Sequence, residues 1–165
     1  IGCISGFLEE PNSCQEYIDS FQRKIWRDRL KGCQDALDEV GLTLMVLYQG
    51  SGGLKQGFLQ AQEFIKEIMA LDNPPTALYC CNDIIALGAL SELLEMKVPV
   101  PEKVALVGHD GLEISTILYP RVTTILQPRY EMGFAAANML LDSIEKDVPV
   151  RHHIAHSTLF LGNTT

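Results

Sequence analysis

The residues best placed to do chemistry stand at the ends of apolar runs: Ser5-Gly6, Gln49-Gly50-Ser51, Asn82-Asp83 and His109-Asp110. Taken singly, such residues are turn formers and helix caps. Four such ends in one chain point instead to a crevice, because ligands of open parallel sheets bind beyond the C-terminal ends of the strands. Arg29 is a separate case. Ile25 and Trp26 lie about one helical turn before it and Cys33 about one turn after, which sets a guanidinium beside an apolar stripe. Snorkelling over that surface is the plain reading. The functional reading is that Arg29 projects into the crevice as a planar fork for a carboxylate or paired hydroxyls. With Asp110 accepting and Asn82 both donating and accepting, such a set suits a polyol or a sugar acid.

Covalent chemistry has no visible apparatus. The sequence contains no nucleophile elbow, no Walker loop and no GxGxxG after the first apolar run, and Gly50-Ser51-Gly52-Gly53 lacks the Lys-Ser/Thr of a phosphate loop. His152-His153-x-x-His156 invites a metal reading, but the three do not share one strand face and no carboxylate or cysteine completes the set. No catalytic residue, metal or cofactor is therefore expected. Met69, Met96, Met132 and Met139 fall within helical patterns and read as core filler.

Composition bounds the rest. The 165 residues, 47% hydrophobic and 21% charged, fit one globular domain, and a net charge of −8 offers no cationic field to a phosphate backbone. No apolar run approaches the roughly 18 to 20 residues a membrane span needs. Cys3, Cys14, Cys33, Cys80 and Cys81 are odd in number and without CxxC spacing, which fits reduced thiols in a reducing, cytoplasmic setting. Cys80 and Cys81 would point to opposite faces of a strand. The opening Ile1-Gly2-Cys3-Ile4-Ser5-Gly6 reads as a strand met in mid-protein, so a longer parent chain is expected.

The elements that must position these residues alternate strictly between strand and helix, the pattern of an α/β, Rossmann-like parallel sheet flanked by helices. After a first strand and an irregular stretch over 8–20, the spacing predicts a helix over 23–40 ended by Gly41, a strand over 42–48, a helix over 55–71 stopped by Pro74-Pro75, and a strand over 76–80. Asn82 or Asp83 then caps a further helix. A strand over 103–107 ends at Gly108-His109-Asp110, a helical turn follows near 114–118, and 122–126 is a β-branched strand. Pro128 opens a helix running to about Glu145, residues 153–161 form a last strand, and 162–165 fray.

Three stretches in this order resemble the LacI/GalR family of bacterial transcriptional regulators. Pro75-Thr76-Ala77-Leu78-Tyr79-Cys80-Cys81-Asn82-Asp83, running on to Gly88-Ala89-Leu90, resembles its "PTAIFCANDxMAxGAL". Val98-Pro99-Val100-Pro101-Glu102-Lys103-Val104-Ala105-Leu106-Val107-Gly108-His109-Asp110 resembles "VPEDVSVVGFD", and Pro120-Arg121-Val122-Thr123-Thr124-Ile125-Leu126-Gln127-Pro128 resembles "PPLTTVxQP". Arg29-Leu30-Lys31-Gly32 stands for the family's RxxGF, and the end at Thr164-Thr165 for its "RxST". The resemblance implies a type I periplasmic-binding-protein-like fold, mainly its C-terminal lobe over 1–120, with a crossover strand and helix of the N-terminal lobe over 121–152 and a return strand and tail over 153–165. It implies that Arg29, Asn82, Asp110 and Gln127 line an effector cleft, with His109 and Ser51 beside them. The effector would be a sugar, sugar acid or purine, the protein a homodimer, and operator DNA would be reached only through a separate N-terminal helix-turn-helix domain, with no membrane partner. His109 replaces the family's usual Phe or Tyr, and glycines near Gly52 stand where many members stack an aromatic on the ligand. The apolar face of the helix after Pro128, with Phe134, Leu140, Leu141 and Ile144, would need a partner. A periplasmic sugar-binding transport receptor of the same fold is the alternative function, and a Rossmann-like enzyme a more distant one.

Overall fold

The computed structural model describes residues 2–4, 24–48, 54–146, 148–149 and 152–165. Strands β1 (Gly2–Ile4), β2 (Met45–Tyr48), β3 (Ala77–Cys80), β4 (Ala105–Asp110), β5 (Thr123–Leu126) and β6 (Thr158–Phe160) form one sheet in the order β2-β1-β3-β4-β5-β6. The first five run parallel and β6 pairs antiparallel to β5. Helices α1 (Lys24–Asp38), α2 (Leu54–Met69), α3 (Asp83–Glu95), α4 (Glu113–Ile117) and α5 (Arg129–Lys146) intervene. The expected parallel α/β sheet is thus present, with one antiparallel edge strand that periodicity alone does not reveal. No helix among the described residues is long and apolar enough to cross a membrane.

Strand alternation divides the core between two faces. Leu78 and Cys80 join Leu106, Val104 and Val122 beneath α2 and α3, against Ala61, Ile65, Ala86, Ala89 and Leu93. Cys81 joins Leu30, Leu37 and Leu44 on the α1 face, where Trp26, Cys33 and Tyr79 pack against them. Cys80 and Cys81 therefore lie in different cores, and the described thiols Cys33, Cys80 and Cys81 are reduced. Burial pushes the Cys80 thiol well above its ordinary value, which disfavours the reactive thiolate. Helices α2 and α3 approach closely because Gly88 carries no side chain: a Cβ there would sit 2.4 Å from the Phe58 carbonyl oxygen.

The helix ends follow local chemistry. Asn82 has extended backbone and its side chain accepts from the Ile85 N–H at 2.8 Å, capping α3. Gly41, at φ +67°, ends α1, with the Leu42 N–H reaching the Leu37 carbonyl at 2.9 Å and the Gly41 N–H reaching Asp38 at 3.2 Å. Ile25 and Val40, counted in the apolar stripe of that helix, are 64% and 67% exposed, so the buried face is narrower than the spacing suggests.

Three expectations change. The end of the chain does not fray: Thr164 is fully buried, its hydroxyl donating to the Leu106 carbonyl at 2.6 Å and accepting from the Thr123 N–H at 3.0 Å. Its carbonyl accepts from the Leu106 N–H at 2.7 Å, so the tail is bonded to both β4 and β5. Met96 and Met132 are 41% and 50% exposed and are not core filler. The strand within 121–152 is β5 of this sheet, paired with β4 from Val107↔Thr123 to Asp110↔Leu126, so the sheet extends past residue 120. The apolar face expected to need a partner is open: no residue of α5 is buried, and Phe134, Leu140, Leu141 and Ile144 are each more than half exposed.

At the centre of the sheet's α3 side, Asp83 is fully buried, accepting from Thr124 Oγ1 at 2.5 Å and from the Leu112 N–H at 2.6 Å. Burial raises its carboxyl above the ordinary 3.8, against the hydrogen bonds from Thr124 and Leu112, which lower it. The folded state therefore binds this proton more tightly than the unfolded state, and the associated stability is present in full at acid pH and declines as pH rises past 3.8. Asp83→Asn, which can still accept from Leu112 and donate to Thr124, is expected to remove that slope with little loss at neutral pH. Asp83→Ala strands both partners and is expected to cost about 2 to 4 kcal/mol; urea titrations from pH 3 to 7 check both. Thr164→Val leaves the Thr123 N–H and Leu106 carbonyl without their hydroxyl and is expected to cost about 1 to 3 kcal/mol in the same assay. An unchanged urea midpoint would show that the tail is not structural.

Candidate functional site

The strand order places β1 between β2 and β3, so the chain reverses direction across the sheet at the β1/β3 boundary, where a doubly wound sheet opens its crevice. Arg29, near the start of α1, meets the ends of β3 and β4 at this boundary. Its Nη1 donates to the Cys81 carbonyl at 2.5 Å and its Nη2 to Asp110 Oδ1 at 2.9 Å. The two side chains are 14% and 27% exposed, a half-buried ion pair at the surface of the crevice. Trp26, one turn earlier on α1, has its ring 5.5 Å from the guanidinium carbon. Both arms of Arg29, expected as a fork for a carboxylate or paired hydroxyls, are engaged within the protein.

Gln127, directly after β5, donates from Nε2 to the same Asp110 Oδ1 at 2.7 Å. Arg29 and Gln127 thus converge on one Asp110 oxygen, and among the described residues Oδ2 accepts no hydrogen bond. Asp110 reaches this position against strand alternation. Gly108 faces α3, where a Cβ would meet Asp83 Oδ1 at 2.4 Å, and His109 faces the α1 side. Alternation would return Asp110 to the α3 side, but its backbone adopts φ +116° and the carboxylate turns to Arg29. Arg129, the first residue of α5, donates to the carbonyls of Asp110 and Gly111.

His109 lies beside this group, its Nδ1 3.1 Å from the Tyr79 hydroxyl and its ring edge-on to Tyr79. Burial lowers its pKa below 6.5 and the Arg29 charge lowers it further, against Asp110, which raises it. The imidazole is consequently neutral at pH 7. Asn82 is present as the α3 cap, with its Oδ1 already accepting from Ile85. Ser51, Ser5-Gly6 and Gln49-Gly50 lie outside the described residues. Tyr79, Trp26, Arg129 and the Cys81 carbonyl belong to the site without having been singled out by the sequence. Tyr79 carried a signal as the one polar-tipped residue of its strand, and Trp26 through its place one turn before Arg29. Among the described residues no cluster of His, Cys, Asp and Glu could hold a metal ion, and His153 Nε2 lies 3.6 Å from Glu131 Oε1 of α5.

These features define an α/β domain whose polar site sits at the topological switch point of its sheet. Residues 17–165 match the periplasmic binding protein-like domain, and the chain belongs to that family. It is 33% identical over 153 residues to the HTH-type transcriptional repressor PurR of Aliivibrio salmonicida (strain LFI1238), a match covering 93% of this chain and 40% of that protein. It is 33% identical over 145 residues to the HTH-type transcriptional repressor CytR of Escherichia coli (strain K12), covering 88% of this chain and 38% of that protein. The chain thus spans less than half the length of these repressors. Among solved structures, a dimeric Lac repressor superposes with a TM-score of 0.78 at 24% identity, over 99% of this chain and 54% of that one. A LacI family transcriptional regulator from Enterococcus faecium with bound ribose superposes with a TM-score of 0.75 at 23% identity, over 99% of this chain and 55% of that one.

The depressed His109 pKa has a direct consequence. Stability linked to its neutral form is present above 6.5 and is lost as pH falls below it, because the unfolded chain takes up the proton first. Arg29→Gln removes a repelling charge and is expected to raise the His109 pKa, read from the imidazole proton shifts in an NMR titration. An unmoved or lower value would mean that the guanidinium does not act on the ring.

Proposed function

We propose that this chain is the effector-sensing region of a LacI-type transcriptional regulator, in which a small hydroxyl-bearing metabolite binds at the crevice and biases DNA binding by a separate helix-turn-helix domain. The observation that carries the reading is the Asp110 carboxylate, fixed through Oδ1 by Arg29 and Gln127 at the switch point, with Oδ2 accepting no hydrogen bond from the described residues and so open to a ligand donor. Two curated relatives at 33% identity are transcriptional repressors, which supports a regulator over a transport receptor or an enzyme and favours a cytoplasmic protein. A neighbour of the same fold holds ribose. Arg29, Asn82, His109, Asp110 and Gln127 are the proposed contacts, together with Ser51, which lies outside the described residues and rests on the sequence alone.

Charge narrows the ligand class from sugars, sugar acids and purines. The Arg29 cation is matched by Asp110, and the second cation at the turn, Arg129, is held by the Asp110 and Gly111 carbonyls, so the crevice presents a carboxylate acceptor rather than an open cationic pocket among the described residues. A neutral sugar or nucleoside, donating a hydroxyl to Oδ2, fits better than an acid. The regulator acts as a homodimer in this reading, and ligand shifts the population between operator-bound and released states.

A thermal-shift screen of the intact protein against sugars, sugar acids and purines tests this reading. A ligand at one hundred times its dissociation constant should stabilise the wild type by about 2.7 kcal/mol, and the shift should vanish in Arg29→Ala and Asp110→Ala. Equal shifts in all three proteins would place the ligand elsewhere.

A further inference from the structure

Asp110 and Gly111 are consecutive residues with positive φ, +116° and +64°, and between them they decide where the carboxylate points. The two peptide groups that follow Asp110 are each held at both ends. In the first, the Gly111 N–H donates to Thr124 Oγ1 at 3.3 Å; in the second, the Leu112 N–H donates to Asp83 Oδ2 at 2.6 Å. Both of those anchors belong to the sheet and α3. The carbonyls at the opposite ends, of Asp110 and Gly111, are both taken by the guanidinium of Arg129. Arg129 belongs to α5, a helix with no buried residue and an open apolar face. Arg129 thus links α5 directly to the turn, and the planar fork of arginine suits two adjacent carbonyls as a single ammonium does not.

We propose that Arg129 is a positioning residue for the Asp110 carboxylate: it clamps the left-handed turn that aims the carboxylate at Arg29 and Gln127, so that movement of α5 against the sheet tunes the affinity of the crevice. The tuning of affinity rests on the effector-site reading above, whereas the clamping of the turn does not. Without Arg129 each peptide keeps one anchor and can rotate about the other. Asp110 then relaxes toward extended backbone, which carries its side chain back to the α3 side and away from Arg29.

The experiment is a double-mutant cycle between Arg29 and Asp110, measured by urea unfolding in three backgrounds: wild type, Arg129→Ala and Arg129→Lys. With Arg129 present the two residues should be coupled on the order of tenfold in the folding equilibrium. Arg129→Ala should bring the coupling below about threefold, and Arg129→Lys, which can hold one carbonyl, should fall between. The amide-to-Hα coupling constant of Asp110, small at its present φ and large in extended backbone, should rise in parallel. Undiminished coupling and an unchanged constant in Arg129→Ala would overturn the clamp. In the intact protein, a ligand that binds the wild type should bind Arg129→Ala about tenfold more weakly with little change in urea midpoint, because Arg129 is exposed. Reduced Arg29–Asp110 coupling with unchanged ligand affinity would overturn the link to affinity alone. If nothing in the panel binds the wild type, the effector reading fails, and the cycle still decides whether Arg129 positions Asp110.

Discussion

Asp110 closes β4 in a backbone conformation that costs a residue with a side chain about 1 to 3 kcal/mol, and the polar end of the sheet is organised around offsetting that cost. Arg29 and Gln127 bond its carboxylate, Arg129 bonds its carbonyl, and the next two N–H groups are held by Thr124 and Asp83. Those partners come from α1, β5, α3, the β5–α5 connection and α5 itself. One strained residue thus ties these elements to a single turn. Asp83 is the anchor beneath it: a fully buried carboxyl that accepts from β5 and from the turn, in a space left by the missing side chain of Gly108.

How much of this was legible in the sequence varies with how local the cause is. The alternation of strand and helix, the Asn82 cap and the Gly41 stop are set by neighbouring residues, and the patterning finds each to within a few positions. Cys80 and Cys81 separate onto two faces because strand geometry leaves no choice. Residues 103–107 were expected as a strand with a glycine-marked end, yet β4 runs on to Asp110, because Gly108 packs against Asp83 within the strand rather than turning it. The tail is the opposite case. Gly162-Asn163-Thr164-Thr165 has the composition of a fraying end, and its order comes from bonds to Leu106, Arg121 and Thr123, some forty to sixty positions away. No window on the sequence contains both partners.

The site shows the same division. Arg29 and Asp110 were recognisable as polar groups at the crevice, from helical spacing and from a strand end. Their pairing was not, since it depends on a positive φ that nothing about an aspartate announces. Gln127 became a candidate only through its likeness to a family motif. Arg129, two residues later, carries no motif of its own, and its role follows from where the Asp110–Gly111 carbonyls point. Met96 and Met132 illustrate the converse error: helical periodicity identifies a face, but whether that face meets a core depends on which elements the chain packs beside it.

Because the Arg29 cation is already satisfied, ligand recognition here differs from capture by an open positive pocket. An anion entering the crevice would compete with Asp110 for Arg29 and leave a half-buried carboxylate partly unpaired, a penalty that grows as water is excluded. A neutral donor needs no such exchange, since it meets an acceptor already oriented by two hydrogen bonds to its other oxygen. The neutral His109 beside it adds a group that can donate or accept according to tautomer, without adding charge. On the proposed reading, preorganisation of the carboxylate would favour uncharged, hydroxyl-rich ligands. It also makes affinity depend on the backbone turn that holds Asp110 in place, so that a change in the turn is felt as a change in binding without any ligand contact being altered.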